Sequence, residues 1–281
     1  MRIALAQISA TGNKQENLRL IEDQTRYAAQ AGGGGLIWWF SPRPSMQAFD
    51  TGRLDINAED ISGAFVGRIK ELTDELGIGV AVGMFTPADT VDVEGKSINR
   101  VHNTLVVTLP GAENPIFYNK IHTYDAFGYH ESHTVKAGED VVIFSYGGIT
   151  FGLSTCYDVR LPGQFRTLAQ RGAEVILLPA SWANGTGKKE QWQLLTAARA
   201  LDATCFVVAV DQADSGVKGP TGIGFSRVIG PDGVCIAEAG AGPELLIADI
   251  STKDLSDVRS AIPVLLGVDE YANASLEPNN I

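Results

Sequence analysis

Cysteine is scarce in this chain: Cys156, Cys205 and Cys235 are the only three in 281 residues. So sparse and odd a set cannot build a disulfide framework, which predicts a reducing, cytoplasmic setting. Positive charge is also short. Lys and Arg number 22 against 33 Asp and Glu, for a formal net charge of −11. An acidic surface repels phosphate backbones and anionic lipids, so neither nucleic acid nor a membrane surface is an expected partner. No apolar run approaches the roughly 20 residues a membrane helix needs. The opening Met-Arg-Ile-Ala-Leu-Ala-Gln lacks a signal-peptide layout and reads as a first strand. There is no repeat of fixed period and no obvious linker.

What is present is an alternation of strand-like and helix-like segments. Residues 2–8 alternate small and apolar side chains like a buried strand, and 14–31 carry Leu18, Ile21, Tyr27 and Ala28 at helical spacing. An apolar run at 36–40 precedes a second helical stretch, 58–76. Strands are expected at 77–84, 103–109, 141–148, 149–156, 174–180 and 204–210, with helices over 163–171 and 188–203. The last third is rich in Gly and strands until about residue 250, where STKDLSDVRSA reads as a helix before a tail. The pattern predicts a layered α/β fold, and strands lacking intervening helices predict mixed sheets. One domain is expected over 1–281, with its core in about 1–255.

The segment 149–163, Ile-Thr-Phe-Gly-Leu-Ser-Thr-Cys-Tyr-Asp-Val-Arg-Leu-Pro-Gly, runs an apolar strand into Cys156 and then turns polar. That places a thiol at a strand's C-terminal edge, where α/β folds hold ligands. A lone Cys is more often a small core residue. A nucleophilic one needs a cation or base to favour its thiolate. The candidates are His102, His122, His130, His133 and Lys120, the last within Tyr-Asn-Lys-Ile-His at 118–122. A Cys–His dyad with His122 is conceivable, although no papain-like Gly-Ser-Cys-Trp context exists.

Together, Tyr-Asn-Lys-Ile-His and Cys-Tyr-Asp-Val-Arg-Leu-Pro resemble two signatures of the nitrilase superfamily, the carbon–nitrogen hydrolases. The first strand, Leu-Pro-Ala-Ser-Trp at 178–182, Gln-Trp…Ala-Arg-Ala-Leu-Asp at 191–202 and Gly-Phe-Ser-Arg-Val-Ile-Gly-Pro-Asp-Gly at 224–233 are similar to its other blocks, so the resemblance spans about 1–255. It implies a four-layer α-β-β-α sandwich, pairing into homodimers or larger homo-oligomers, and a Glu-Lys-Cys triad with no metal or organic cofactor. By this resemblance Cys156 attacks the substrate carbon, and Lys120 stabilises the oxyanion with the Tyr157 backbone N–H. Glu131, in the Glu-Ser…Gly context, positions Lys120 and substrate. Tyr157, Ser181 and Trp182 are the expected substrate-binding residues, with Trp182 equally readable as core.

The resemblance also exposes a gap. The general base should be a Glu at an apolar strand end, as in Leu-Val-Val-Phe-Pro-Glu, yet residues 36–46 read Leu-Ile-Trp-Trp-Phe-Ser-Pro-Arg-Pro-Ser-Met. Arg43 cannot serve, because a guanidinium stays protonated at working pH. One explanation is a repurposed paralogue. The other is a local shift of reading frame in the gene. One choice of codons for Trp-Trp-Phe-Ser-Pro-Arg-Pro, TGG TGG TTC TCC CCG AGG CCC, in which only the two Trp codons are fixed by the protein sequence, contains GTG GTT CTC CCC GAG GCC, or Val-Val-Leu-Pro-Glu-Ala, in a shifted frame. A smaller departure is Gly163, where Arg-Phe-Pro-Glu would be usual.

Other signals carry less. His130 and His133 lack a third ligand cluster for zinc, and Gly185-Thr186-Gly187-Lys188 lacks phosphate-loop spacing and reads as a helix lead-in. Cys205 and Cys235 read as core, and Asp158 and Arg160 as a structural pair. The expected substrate is a small amide, cleaved to acid and ammonia through a Cys156 thioester. An N-carbamoyl amino-acid hydrolase, a nitrilase, or an impaired relative with a binding role are the alternatives.

Overall fold

The computed structural model describes residues 1–11, 13–32, 35–38, 53–126, 128–213 and 222–267. Arg43 and the stretch 39–46 around the expected glutamate lie outside them.

Two layers of strands stack face to face. One contains β14 (Glu244–Asp249), β1 (Arg2–Gln7) and β2 (Gly35–Trp38), in that order, and the three-stranded sheet β3 (Val80–Val93), β4 (Lys96–Thr108), β5 (Ile116–Asn119). The other orders β13 (Cys235–Glu238), β12 (Arg227–Ile229), β11 (Phe206–Asp211), β10 (Val175–Ala180), β9 (Ile149–Leu153) and β8 (Ile143–Tyr146). Both contain parallel and antiparallel pairs, as the missing crossover helices require. A short hairpin, β6 (Asp125–Ala126) and β7 (Tyr129–His130), stands apart.

Side-chain alternation builds the layers. In β1, Ile3 and Leu5 face the other sheet and pack with Phe151, Leu177 and Val208, whereas Ala4 and Ala6 face helices. Those helices are α1 (Lys14–Gln30) and α2 (Ala64–Leu76), which supply Ile21, Phe65 and Ile69 to the outer core. On the opposite side α3 (Pro162–Gln170) and α4 (Lys188–Ala203) cover the second sheet through Phe165, Leu168 and Trp192. The result is the expected α-β-β-α sandwich. A last helix, α5 (Leu255–Ala261), follows β14.

Local chemistry explains the boundaries. Asn13 caps α1 by accepting the N–H groups of Gln15 and Glu16. The helix expected from residue 58 begins at Ala64, because Glu59 turns back to accept the Phe65 N–H at 2.6 Å and Asp60 closes a turn with Ser62. The strands expected at 77–84 and 103–109 are instead the long antiparallel pair β3–β4, tied by Glu94 and Gly95 at φ of 52° and 77°. Two consecutive positive φ values suit a tight hairpin turn. Cys205 is buried, but Cys235 is exposed on β13. That corrects its reading as core: β13 is an edge strand with mostly exposed side chains.

Candidate active site

β9 stops at Leu153, and the chain makes a 3-10 turn over Cys156–Arg160. Cys156 opens that turn at φ 49°, a left-handed conformation costly for any residue with a Cβ. Its surroundings hold it there. Ser154 hydrogen-bonds through N–H and hydroxyl to the Leu177 carbonyl, at 3.0 and 2.9 Å, and the Thr155 N–H donates to Asp158 at 2.8 Å. The thiol is half-buried. Burial pushes its pKa up to about 11, although Lys120 and the Ser181 backbone N–H pull it down.

Lys120 follows β5 and is almost fully buried, at 2% exposure. Its backbone is pinned on both sides: its N–H donates to Asn103, and its carbonyl accepts from Gly138, both at 2.8 Å. A Cβ on Gly138 would lie 2.2 Å from the Asn119 carbonyl oxygen, so this pinning requires glycine. The Lys120 ammonium donates to Glu131 Oε2 at 2.5 Å, an oxygen that also accepts the Tyr124 N–H. Burial alone would lower the Lys120 pKa; the Glu131 carboxylate and the Cys156 sulfur outweigh it and leave it raised. Lys120 is therefore a fixed cation facing the thiol. Glu131 Oε1 is buried and has no hydrogen-bond partner among the described residues.

Asp158 behaves differently from its expectation. It does not pair with Arg160. Its carboxylate accepts the Tyr118 hydroxyl at 2.5 Å, the Thr155 N–H, the His122 N–H at 3.1 Å, and lies 2.8 Å from His122 Nδ1. Gln164 adds a bond to the Tyr118 hydroxyl. Asp158 thus ties the Lys120 segment to the Cys156 turn. His122 is engaged by Asp158, and Lys120, not an imidazole, is the cation acting on the sulfur.

Of the expected binding residues, Ser181 presents its backbone N–H to the sulfur. Tyr157 stands edge-on to Tyr124, centroids 5.2 Å apart, and its N–H belongs to the first turn of the 3-10 segment, where no intrahelical acceptor exists. Trp182 is buried against Trp192 at 5.4 Å and shows its other surroundings to Arg160 and Lys188.

Asp211 was not singled out in the sequence, though it is a polar residue ending an apolar strand. It is fully buried and accepts the N–H groups of Trp182 at 2.7 Å and Ile223 at 2.8 Å. Burial pushes its carboxyl well above the usual range. It braces the 181–182 backbone whose neighbouring N–H meets Cys156.

The profile of the carbon–nitrogen hydrolases matches residues 2–260. The chain belongs to that family. A hydrolase from Mycobacterium tuberculosis is 39% identical over 276 residues, covering 94% of each chain. The deaminated glutathione amidase of Escherichia coli is 34% identical over 269 residues, covering 94% of this chain and 96% of that one. Among solved structures, a cysteine-to-alanine mutant of an amidase from Nesterenkonia sp. AN1 in complex with butyramide superposes at a TM-score of 0.72, with 26% identity and coverage of 94% and 95%. Saccharomyces cerevisiae Nit3 shares the fold at a TM-score of 0.77 with 23% identity, covering 94% of each chain. These matches place the carbon–nitrogen hydrolase among the amidases of the nitrilase superfamily.

Proposed function

We propose that this chain hydrolyses a small amide to a carboxylic acid and ammonia through a thioester on Cys156. The observation that carries the reading is the buried Lys120–Glu131 pair set against a half-exposed thiol in a left-handed backbone. A glutamate-to-leucine mutant of a related amidase, 26% identical, shows covalent addition of the acetamide moiety of fluoroacetamide at its active site cysteine, which supports a reactive cysteine here.

The chemistry follows from the charges. The Cys156 sulfur adds to the amide carbonyl, and the oxyanion that forms is met by the Lys120 ammonium and the Tyr157 N–H. Glu131 Oε1, an acceptor with no hydrogen-bond partner among the described residues, takes an N–H of the substrate amide. The proton lost by the thiol is delivered to the nitrogen, the C–N bond breaks and ammonia leaves; water then adds to the thioester, releasing the carboxylic acid and returning the thiol. Burial raises the Cys156 pKa to about 11, which favours the protonated thiol at neutral pH. A proton acceptor is therefore required during attack, and general-base catalysis is worth about 10²–10⁴-fold.

That requirement is what favours a second reading. Residues 36–46 hold no Glu, and a chain with Arg43 in its place would bind amides while turning them over poorly. The test is ammonia release from short aliphatic amides, with Cys156→Ala as control. Carbamoyl substrates, which also release carbon dioxide, separate the N-carbamoyl hydrolase alternative, and a nitrile panel separates the nitrilase. Sequencing the gene across residues 30–46, together with a variant carrying Val-Val-Leu-Pro-Glu-Ala over 39–44, decides between divergence and a frame shift. A clean frame encoding Arg43 and no gain from the variant would end the frame-shift explanation. Homo-oligomerisation belongs to the same proposal, and sedimentation velocity would test it.

A further inference from the structure

At the end of β11, Asp211 and the following Gln212 hold the backbone that meets the nucleophile. The Gln212 N–H donates to the Ala180 carbonyl at 3.2 Å. That carbonyl shares one rigid amide plane with the Ser181 N–H, the group directed at the Cys156 sulfur. The next amide ends in the Trp182 N–H, which Asp211 Oδ1 accepts at 2.7 Å. Only the two soft dihedrals of Ser181 lie between these planes. Holding both leaves the Ser181 N–H little freedom to turn away from the sulfur.

The other carboxylate oxygen reaches a different segment. Asp211 Oδ2 accepts the Ile223 N–H at 2.8 Å, two positions before Phe225, which is held at φ 56°. Besides Cys156, the described non-glycine residues with positive φ are Glu94, Thr204 and Phe225. Glu94 closes the β3–β4 hairpin and Thr204 ends α4, but Phe225 does neither. Its N–H donates to Gly240 at 2.9 Å and its carbonyl accepts Trp192 Nε1 at 3.0 Å, so neighbours on both sides impose the conformation. Ala180, Trp182, Ile223 and Phe225 all belong to the cluster that Cys156 joins. Asp211 therefore ties together two segments that pack about the nucleophile.

Stability does not account for this carboxylate. It is fully buried, and among the described residues no cationic side chain pairs with it. Burying a carboxylate without a cation is costly. Its oxygens accept backbone N–H groups, which favours the charged form against the burial that opposes it. The sulfur responds to that charge: Lys120 and the Ser181 N–H favour the thiolate, while Glu131 and Asp211 oppose it.

We propose that Asp211 is a positioning residue for the nucleophile: it holds the Ser181 N–H on the Cys156 sulfur, and so serves the rate of the reaction and not the affinity for substrate. This rests on the thiol mechanism above. A hydrogen bond to sulfur is strongest when the sulfur is charged, before attack and again when the thiolate leaves the acyl group.

Two substitutions test the brace. Asp211→Asn keeps one oxygen for the Trp182 N–H and turns an amide NH2 toward Ile223, whereas Asp211→Ala keeps neither bond. With butyramide, kcat should fall about 10-fold in Asp211→Asn and about 10²-fold in Asp211→Ala, the scale of an ångström's misplacement, while KM stays within about 2-fold. If Asp211→Ala fails to fold, Asp211→Asn carries the test, with its melting temperature as the check on folding. A second readout needs no turnover: the pH midpoint of Cys156 alkylation by iodoacetamide. In Asp211→Asn it should fall by about one unit from about 11, because a negative charge near the sulfur is gone while Trp182 keeps its acceptor. A merely structural role would leave that midpoint in place. An unchanged kcat or an unchanged midpoint in folded Asp211→Asn overturns the proposal, and so does a loss that falls on KM. A wild-type chain that releases no ammonia from any amide overturns the amidase reading instead, and the alkylation midpoint then decides for or against Asp211 by itself.

Discussion

Burial raises the pKa of both Cys156 and Cys205, yet the two thiols sit in opposite settings. Burial pushes both thiols up to about 11, and both have a cation beside them. At Cys205 the cation is Arg259, which donates to the sulfur at 3.2 Å, to the Ala173 carbonyl at 2.8 Å and to the Thr204 carbonyl at 3.2 Å. Those bonds fasten α5 to the strand layer, and the sulfur is sealed beneath them. At Cys156 the cation is Lys120, held by Glu131 and acting on the sulfur of a half-buried residue in a strained backbone. A raised pKa alone therefore does not distinguish the proposed nucleophile, Cys156, from Cys205. Access, backbone strain and a cation positioned to meet developing charge do.

The comparison breaks most simply at the sulfur. Cys156→Ala should reduce ammonia release to background, whereas Cys205→Ala should keep activity measured under the same conditions. If both retain activity, Cys156 is not the nucleophile. The next effect is at the cations. Lys120→Met should lower kcat by about 10²–10³-fold, as loss of an oxyanion donor does. It should also destabilise the fold by about 3–5 kcal/mol, because Glu131 would be left buried without its cation. In the same variant the pH midpoint of Cys156 alkylation should move further above about 11, since Lys120 is what holds it down.

Alkali sharpens the contrast further. Both thiols start from 9.0 and are raised in the folded chain, so each favours folding fully below about pH 9 and loses that contribution as pH climbs toward about 11. Cys205→Ala should therefore flatten part of the fall in melting temperature over that window, at a cost at neutral pH of roughly 1–3 kcal/mol for the lost packing and hydrogen bonds. A smaller effect concerns labelling. Iodoacetamide should reach exposed Cys235 before Cys156, so the protection of Cys156 by substrate is best read by mass spectrometry in Cys235→Ser protein. Labelling of Cys156 first would mean that its thiol is more ionised than its burial implies.

Much of the fold was legible because period-2 and period-3.6 patterns report burial directly. The helix expected over 188–203 and the strand over 174–180 occur within a residue of those bounds. The long β3–β4 hairpin was only partly seen, because its outer ends alternate exposed and half-buried polar residues and carry a weak apolar signal. Cys235 misled because Val234, Cys235 and Ile236 form an apolar run whose position on a sheet edge is a property of strand order. Asp158 was placed opposite Arg160 on sequence proximity; in space three nearer donors claim it.

By itself the sequence carried the α/β alternation and the family resemblance, which grouped Cys156, Lys120 and Glu131 as candidates, because motifs and periodicity are local and ordered along the chain. Tertiary structure alone decided which charges face one another. Lys120 and Glu131 are eleven positions apart and meet at full burial, where a single pairing excludes water. Arg160 and Lys188 converge on Trp182 from different elements, and no spacing in the chain announces that. Electrostatic energy depends on distance and burial, and those exist only once the strands have stacked.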